Sequence, residues 1–131
     1  MKIGKYFTLE ELTATSSKFA NVPSKNEIEN LKLLVANVLD PLRELYGKPI
    51  KVNSGYRSPL VNKVKGGAKN SDHIYGMAAD ITGGSTAENY KLFKLIRENF
   101  TFRQLINEYD FAWVHVSYNQ NDNKKQILAI K

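Results

Sequence analysis

Two histidines and an aspartate are the residues in this sequence whose types and spacing could bind a metal ion. His73 and Asp80 stand seven positions apart with Gly76 between them, so a loop that turns at the glycine could bring the two side chains together. A neutral imidazole and a carboxylate are both ordinary zinc ligands. The second histidine, His115, stands in a strand-like segment whose alternation places it on the same face as Trp113. From the residues alone, either the three side chains form a metal site with an open position or the histidines are half-buried structural residues.

Composition excludes several other kinds of site. The 131 residues include no cysteine, which excludes a disulfide framework, a thiolate nucleophile and Cys-ligated zinc. The 19 Lys and Arg against 13 Asp and Glu give a net charge of +6, and a basic surface favours nucleic acid, anionic lipid or the acidic polymers of a bacterial wall. The length and the 11% of aromatic residues are typical of one folded domain.

The sequence also carries an expectation about localisation. The segment Met1–Phe7 lacks the apolar core of a signal peptide, and no apolar stretch approaches the roughly 20 residues that a membrane span needs. We therefore expect no membrane span and a protein that is cytoplasmic as synthesised. It would act on a cell wall after release, as in phage lysis, or after export by another route.

Helices are predicted first along the chain. The segments 8–11 and 24–27 each begin with a hydroxyl residue and end with Glu, the capping-box pattern of a helix start. Apolar residues then recur at helical spacing from Ile28 to Leu45. Pro41 is expected to bend or restart that helix near Asp40, because it lacks an amide donor and clashes with the preceding turn.

The remaining elements are mostly strands. A short helix followed by an exposed loop is predicted over Leu60–Asn70, and Thr86 is the expected N-cap of a helix over Ala87–Phe100. The strand-like segments are Ile50–Ser54, Met77–Ile81, Phe102–Tyr109, Trp113–Tyr118 and Gln126–Ile130. Helices that precede a run of antiparallel candidates predict the α+β class, with helices packed on an antiparallel sheet in a small single domain.

The residues around both histidines resemble a known signature. Ser71-x-His73-x-x-Gly76-x-Ala78-x-Asp80, followed by Trp113-Val114-His115-Val116-Ser117, resembles the zinc-binding motif of the D-alanyl-D-alanine carboxypeptidase-like metallopeptidases. That superfamily also holds D-Ala-D-Ala dipeptidases, L-alanyl-D-glutamate endolysins and the hedgehog signalling fold. The resemblance runs from about Tyr6 to Ile130 and includes the turn Asn53–Ser58. It implies a single peptidase domain over residues 1–131, with one zinc ion bound by His73, Asp80 and His115.

The resemblance also implies roles for two residues near the ligands. Arg57 would hold a substrate carboxylate or peptide carbonyl at the edge of the site, and the alternative for it is a surface salt bridge. Ser71 would bind substrate or brace the loop, and its alternative is to cap the turn at His73.

The general base is where the sequence departs from the family pattern. Many members carry an acidic residue three positions before the last histidine, and Ala112 stands there in this chain. Glu108, in a strand expected to pair with the His115 strand across a tight turn, is the favoured base. Asp110 is the second choice, with a solvated turn residue as its alternative role.

Three functional hypotheses follow. The first is a zinc-dependent peptidase that hydrolyses a peptide bond in peptidoglycan stem peptides, as a D,D-carboxypeptidase or an endolysin-type endopeptidase. The second is a catalytically inactive zinc-containing module that binds the wall or a peptide. This hypothesis is supported by Ala112, which stands where many members carry the acidic residue. The third, ranked last, is a basic nucleic-acid binder with Tyr56, Tyr75 and Tyr118 as stacking surfaces, so no nucleic-acid partner is expected.

Overall fold

A computed structural model describes all residues from 1 to 131 as five α-helices and one five-stranded sheet. The helices are α1 (Leu9–Thr13), α2 (Lys25–Leu34), α3 (Asp40–Tyr46), α4 (Pro59–Val64) and α5 (Thr86–Asn99). The strands are β1 (Lys51–Ser54), β2 (Ala78–Thr82), β3 (Gln104–Glu108), β4 (Trp113–Ser117) and β5 (Gln126–Ile130). A π-helical turn over Val35–Leu39 joins α2 to α3, and a 3-10 turn over Asp72–Tyr75 precedes β2. The α+β class is confirmed.

The two predicted capping boxes start helices where expected. The Thr8 hydroxyl accepts a hydrogen bond from the amide of Glu11, whose carboxylate accepts one from the amide of Thr8, both at 3.1 Å. At the start of α2, the Glu27 carboxylate accepts a hydrogen bond from the Ser24 amide at 3.1 Å. These contacts satisfy amides that have no partner within the helix.

The interruption expected near Pro41 takes the form of a π-helical turn, not of a new helix start. Residues 25–46 are helical without a break, and the Asp40 amide donates to the carbonyl of Val35, five residues back. The wider turn directly before Pro41 accommodates a residue that has no amide to donate. The Asp40 carboxylate accepts hydrogen bonds from the amides of Lys5 (2.7 Å) and Tyr6 (3.1 Å). The N-terminal segment is thereby tied to the helix just after its π-helical turn.

The sheet has the strand order β1-β2-β4-β3-β5. Three of its strand pairs are antiparallel, as expected, but β5 runs parallel to β3. The expectation of an antiparallel sheet was wrong for β5 because β2 and β3 already occupy both edges of β4. The strand reverses direction after β4 and joins the outer edge of β3, which is itself antiparallel to β4, so β5 and β3 run parallel.

One local prediction was wrong, and one short element was not predicted. Ser85, not Thr86, is the N-cap of α5, since its hydroxyl accepts a hydrogen bond from the Glu88 amide and Thr86 is already helical. The 3-10 turn after the predicted loop carried no helical periodicity in sequence, because a single turn is too short to show one.

Strand alternation divides the sheet into two faces. Ala79 and Ile81 of β2, with Val114 and Val116 of β4, are fully buried in the apolar core, against which α5 packs. Side chains at the intervening positions point to the opposite face. Asp80 and His115 stand at such positions, so they lie on the second face.

Candidate metal centre

Asp80 and His115 lie side by side because of the sheet register. They are direct partners on the antiparallel strands β2 and β4, and such pairs have Cβ atoms about 5 Å apart. Asp80 Oδ1 lies 3.1 Å from His115 Nδ1. Two of the three predicted ligands are therefore positioned by backbone pairing alone.

His73 reaches the same point from the 3-10 turn. The Ser71 hydroxyl accepts a hydrogen bond from the His73 amide at 3.2 Å, which caps the turn. The ring nitrogen Nδ1 is 2.7 Å from the carbonyl oxygen of Gly55, which can only accept, so Nδ1 carries the proton. His73 Nε2 is then an acceptor, and it lies 3.3 Å from Asp80 Oδ1.

Close backbone packing behind the site fixes the position of this turn. Gly76 ends the turn with a φ of +72°, and a Cβ there would lie 2.5 Å from the carbonyl oxygen of Glu27. Gly55 is equally constrained, since its Cβ would lie 2.4 Å from the carbonyl oxygen of Leu12. The Asn30 side chain also donates a hydrogen bond to the Tyr75 carbonyl at 2.8 Å. Helices α1 and α2 therefore support the loops that carry Arg57 and His73.

The three side chains fit a tetrahedral metal ion. Zinc bonds of about 2.0–2.1 Å place neighbouring ligand atoms roughly 3.3 Å apart, close to the 3.1 and 3.3 Å found around Asp80 Oδ1. One ligand atom from each of His73, Asp80 and His115 lies within 4.8 Å of the others. This fit uses Nδ1 of His115, whereas its Nε2 is buried without a hydrogen-bond partner within the chain. Three ligands leave at least one position open for chemistry.

The ionisation states also suit a cation. Burial alone would raise the pKa of Asp80, but the imidazoles of His73 and His115 outweigh it and hold the pKa well below its usual range. Burial lowers the pKa of His73, because a charged imidazole is poorly solvated there. The site thus offers an anionic carboxylate and a neutral imidazole.

Arg57 is held at this site by three hydrogen bonds. Its Nη2 pairs with Asp80 Oδ2 at 3.0 Å, its Nε donates to the Ser54 hydroxyl at 2.9 Å, and its Nη1 donates to Asn62 Oδ1 at 3.3 Å. Its side chain is only 13% exposed, so this ion pair is buried and not on the surface. A guanidinium has five N–H groups, and two therefore remain for another partner.

A cavity of about 630 Å³ opens over the ligands. Glu108 and Ser71 line it together with the three ligands and Arg57. Glu108 pairs with Trp113 across the tight turn, as predicted, and burial raises the pKa of its carboxyl group. Asp110 lies on that turn, is exposed, and does not line the cavity.

One ion pair at the site was missed by the sequence analysis. Arg103 Nη1 lies 2.9 and 2.7 Å from the two carboxylate oxygens of buried Asp72. This pair ties the His73 turn to the chain just before β3, and Asp122 adds a contact to Arg103 Nε at 3.3 Å. The partners stand 31 positions apart. No short sequence motif could therefore have predicted this ion pair.

Other predicted features lie away from the cavity. Tyr56 is part of the core and only 5% exposed, so its ring offers no stacking surface, whereas Tyr75 is exposed. None of the helices combines the length and apolar character that crossing a membrane requires.

Comparisons with known proteins agree with the site. A family model described as Peptidase M15 matches residues 5–117, which include the three candidate ligands and Glu108. The zinc D-Ala-D-Ala carboxypeptidase of Streptomyces albus G is 40% identical to this chain over 81 residues. The match covers 60% of this chain but only 32% of that enzyme, so the chain spans about a third of its relative's length.

Proposed function

The chain belongs to the peptidase M15 family, and we propose that it is a zinc-dependent peptidase that hydrolyses a peptide bond in peptidoglycan stem peptides. The observation that carries the proposal is the convergence of His73, Asp80 and His115 on one point inside an open cavity. The zinc carboxypeptidase named above, which shares 40% identity, supports both the metal and the substrate class.

His73, Asp80 and His115 would hold one zinc ion per chain. Zinc, when bound, lowers the pKa of a coordinated water and polarises the carbonyl group of the substrate. Hydrogen bonds within the protein prepare two of the ligands for the ion. Nδ1 of His73 donates to the carbonyl oxygen of Gly55, and Oδ2 of Asp80 accepts from Arg57. These outer contacts fix ring and carboxylate orientations.

We assign Glu108 as the general base. Its carboxylate would take a proton from the attacking water and return it to the nitrogen of the leaving amine. The raised pKa that burial gives it suits both steps, because a base that must later act as an acid works best with a pKa nearer to neutrality. Asp110 remains the second choice, and its exposed position outside the cavity lining speaks against it.

Arg57 and Ser71 are proposed to contact the substrate. The two free N–H groups of Arg57 would donate to the carbonyl oxygen as negative charge develops on it. Ser71 caps the His73 turn and also lines the cavity, so one hydroxyl can serve both roles. The reaction is that of a D,D-carboxypeptidase or of an endolysin-type endopeptidase. The alternative of an inactive binding module loses support because an acid, Glu108, lines the cavity although Ala112 occupies the usual base position.

A direct test is hydrolysis of a purified stem peptide by the zinc-loaded protein, with the new termini identified by mass spectrometry. We expect Glu108→Gln to abolish turnover while one equivalent of zinc is retained. Asp110→Asn is the matched control and should keep near-normal activity. Hydrolysis that survives Glu108→Gln would refute the assigned base, and no hydrolysis of any stem peptide by the zinc-loaded wild type would refute the function.

A further inference from the structure

The cavity over the metal ligands contains one cation that has no acidic partner. Three cationic side chains line it: Arg57, Arg103 and Lys65. Arg57 is paired with Asp80 at 3.0 Å, and Arg103 is paired with Asp72 at 2.7 Å. Lys65 forms neither an ion pair nor a side-chain hydrogen bond, so its charge is not compensated within the chain.

Lys65 stands where helix α4 ends and the loop along the cavity begins. Lys65 is the C-cap of α4, and Gly66 follows it with a φ of +75°, which turns the chain into the loop that lines the cavity as far as Ser71. Another part of the lining is apolar, with Ile106 of β3 and Ile130 of β5. A peptide bound in the cavity therefore meets a cationic region and an apolar region.

We propose that Lys65 binds a carboxylate of the peptide substrate and makes the loop 65–71 a carboxylate subsite. This inference rests on the proposed peptidase function and adds the chemical group that the enzyme selects. Arg57 and Arg103 are already neutralised by buried carboxylates, so Lys65 is the cavity cation that gains most from an incoming anion. The carboxylate is either the C-terminal one of the peptide or a side-chain one near the cleaved bond.

Binding can be measured independently of turnover, because Trp113 is the sole tryptophan of the chain and lines the cavity. Zinc-loaded protein carrying Glu108→Gln is titrated with three stem peptides while tryptophan fluorescence is followed. One peptide keeps only its C-terminal carboxylate, one keeps only a side-chain carboxylate, and one has both amidated. The series is repeated with Lys65→Ala, and with Lys63→Ala as the matched control, since Lys63 lies on α4 but does not line this cavity.

We expect Lys65→Ala to weaken binding of one carboxylate-bearing peptide about fivefold, the upper end for an exposed ion pair. The fully amidated peptide should bind the variant and the parent protein equally, and Lys63→Ala should change nothing. The peptide that responds identifies which carboxylate is bound. Equal weakening of all three peptides, or of none, would overturn the subsite. Wild-type protein that binds the peptides with this selectivity but hydrolyses none would refute the peptidase function alone.

Discussion

The two faces of the sheet are built from the same strands, but they differ in whether their buried groups find suitable partners within the chain. On the core face, Val114 and Val116 are fully buried among apolar neighbours. On the site face, the alternate residue His115 carries a buried ring nitrogen, Nε2, that has no hydrogen-bond partner within the chain. Since an unsatisfied buried polar group is costly, the comparison shows that packing alone completes the core face, whereas the polar groups of the site face are not all satisfied within the chain.

The largest expected effect comes from removing a ligand on the site face. We expect His73→Ala to reduce bound zinc from one equivalent per chain to none and activity to background, because two protein ligands hold zinc poorly. Metal analysis and peptide hydrolysis measure both. A variant that keeps a full equivalent of zinc would break the assignment of this face as the metal site.

A substitution on the core face should instead reduce stability and leave zinc binding intact. Ile81→Ala empties a fully buried position next to Asp80 and should lower the free energy of unfolding by about 2–5 kcal/mol, as cavity-creating substitutions do. The folded variant should still bind one equivalent of zinc. Denaturant unfolding and metal analysis test the two statements separately, and loss of zinc at temperatures where the variant is folded would show that the faces are not independent.

A smaller effect is expected at the Asp72–Arg103 ion pair on the site face. Asp72→Asn should weaken zinc binding about tenfold, because the His73 turn loses its ion pair with the residue just before β3. Competition with a chromophoric chelator gives the affinity. Asp122→Asn removes only the exposed contact to Arg103 and is the control; equal loss in both variants would mean that general charge, not attachment of the turn, matters.

The smallest effect is expected far from the site, at the contact between α5 and α3. Hydrogen bonds from Lys48, Tyr46 and Lys91 lower the pKa of Glu88 to about 2 from an ordinary value of 4.5. A lowered folded-state pKa stabilises the fold above pH 4.5, and this contribution is lost as the pH falls toward 2. Glu88→Gln should therefore lower Tm at pH 7 but hardly at pH 2.

The control for this last prediction is Glu98→Gln on the same helix, where only a loose contact of 3.8 Å to Arg97 is lost. Its Tm should match wild type at both pH values. A Glu88 variant whose Tm deficit is the same at pH 2 and pH 7 would contradict the assignment of the effect to ionisation.

Local patterns were enough to predict much of this molecule. Capping residues marked the starts of α1 and α2, and strand alternation placed Trp113 and His115 on one face. The signature around His73 and Asp80 selected the residues that the fold brings together. Each of these signals acts within a few residues of the chain or through a motif whose spacing is fixed.

What the sequence could not predict depends on contacts between distant segments. The parallel pairing of β5 depends on which free edge of the finished sheet it joins, and no property of Gln126–Ile130 itself encodes that choice. Arg57 could be placed near the site, but its bond to Asp80 spans 23 positions and depends on the finished sheet. Such pairings are set by tertiary geometry and produce no periodic pattern in the amino-acid sequence.

The glycine contacts behind the site have a consequence for assembly of the enzyme. Gly55 and Gly76 leave no room for even a methyl group between the site loops and the backbone of Leu12 and Glu27. The N-terminal third of the chain contributes none of the three candidate ligands, yet it packs directly behind the loops that carry Arg57 and His73. Truncation of the first two helices is therefore expected to weaken metal binding, although it removes no group that would contact the ion.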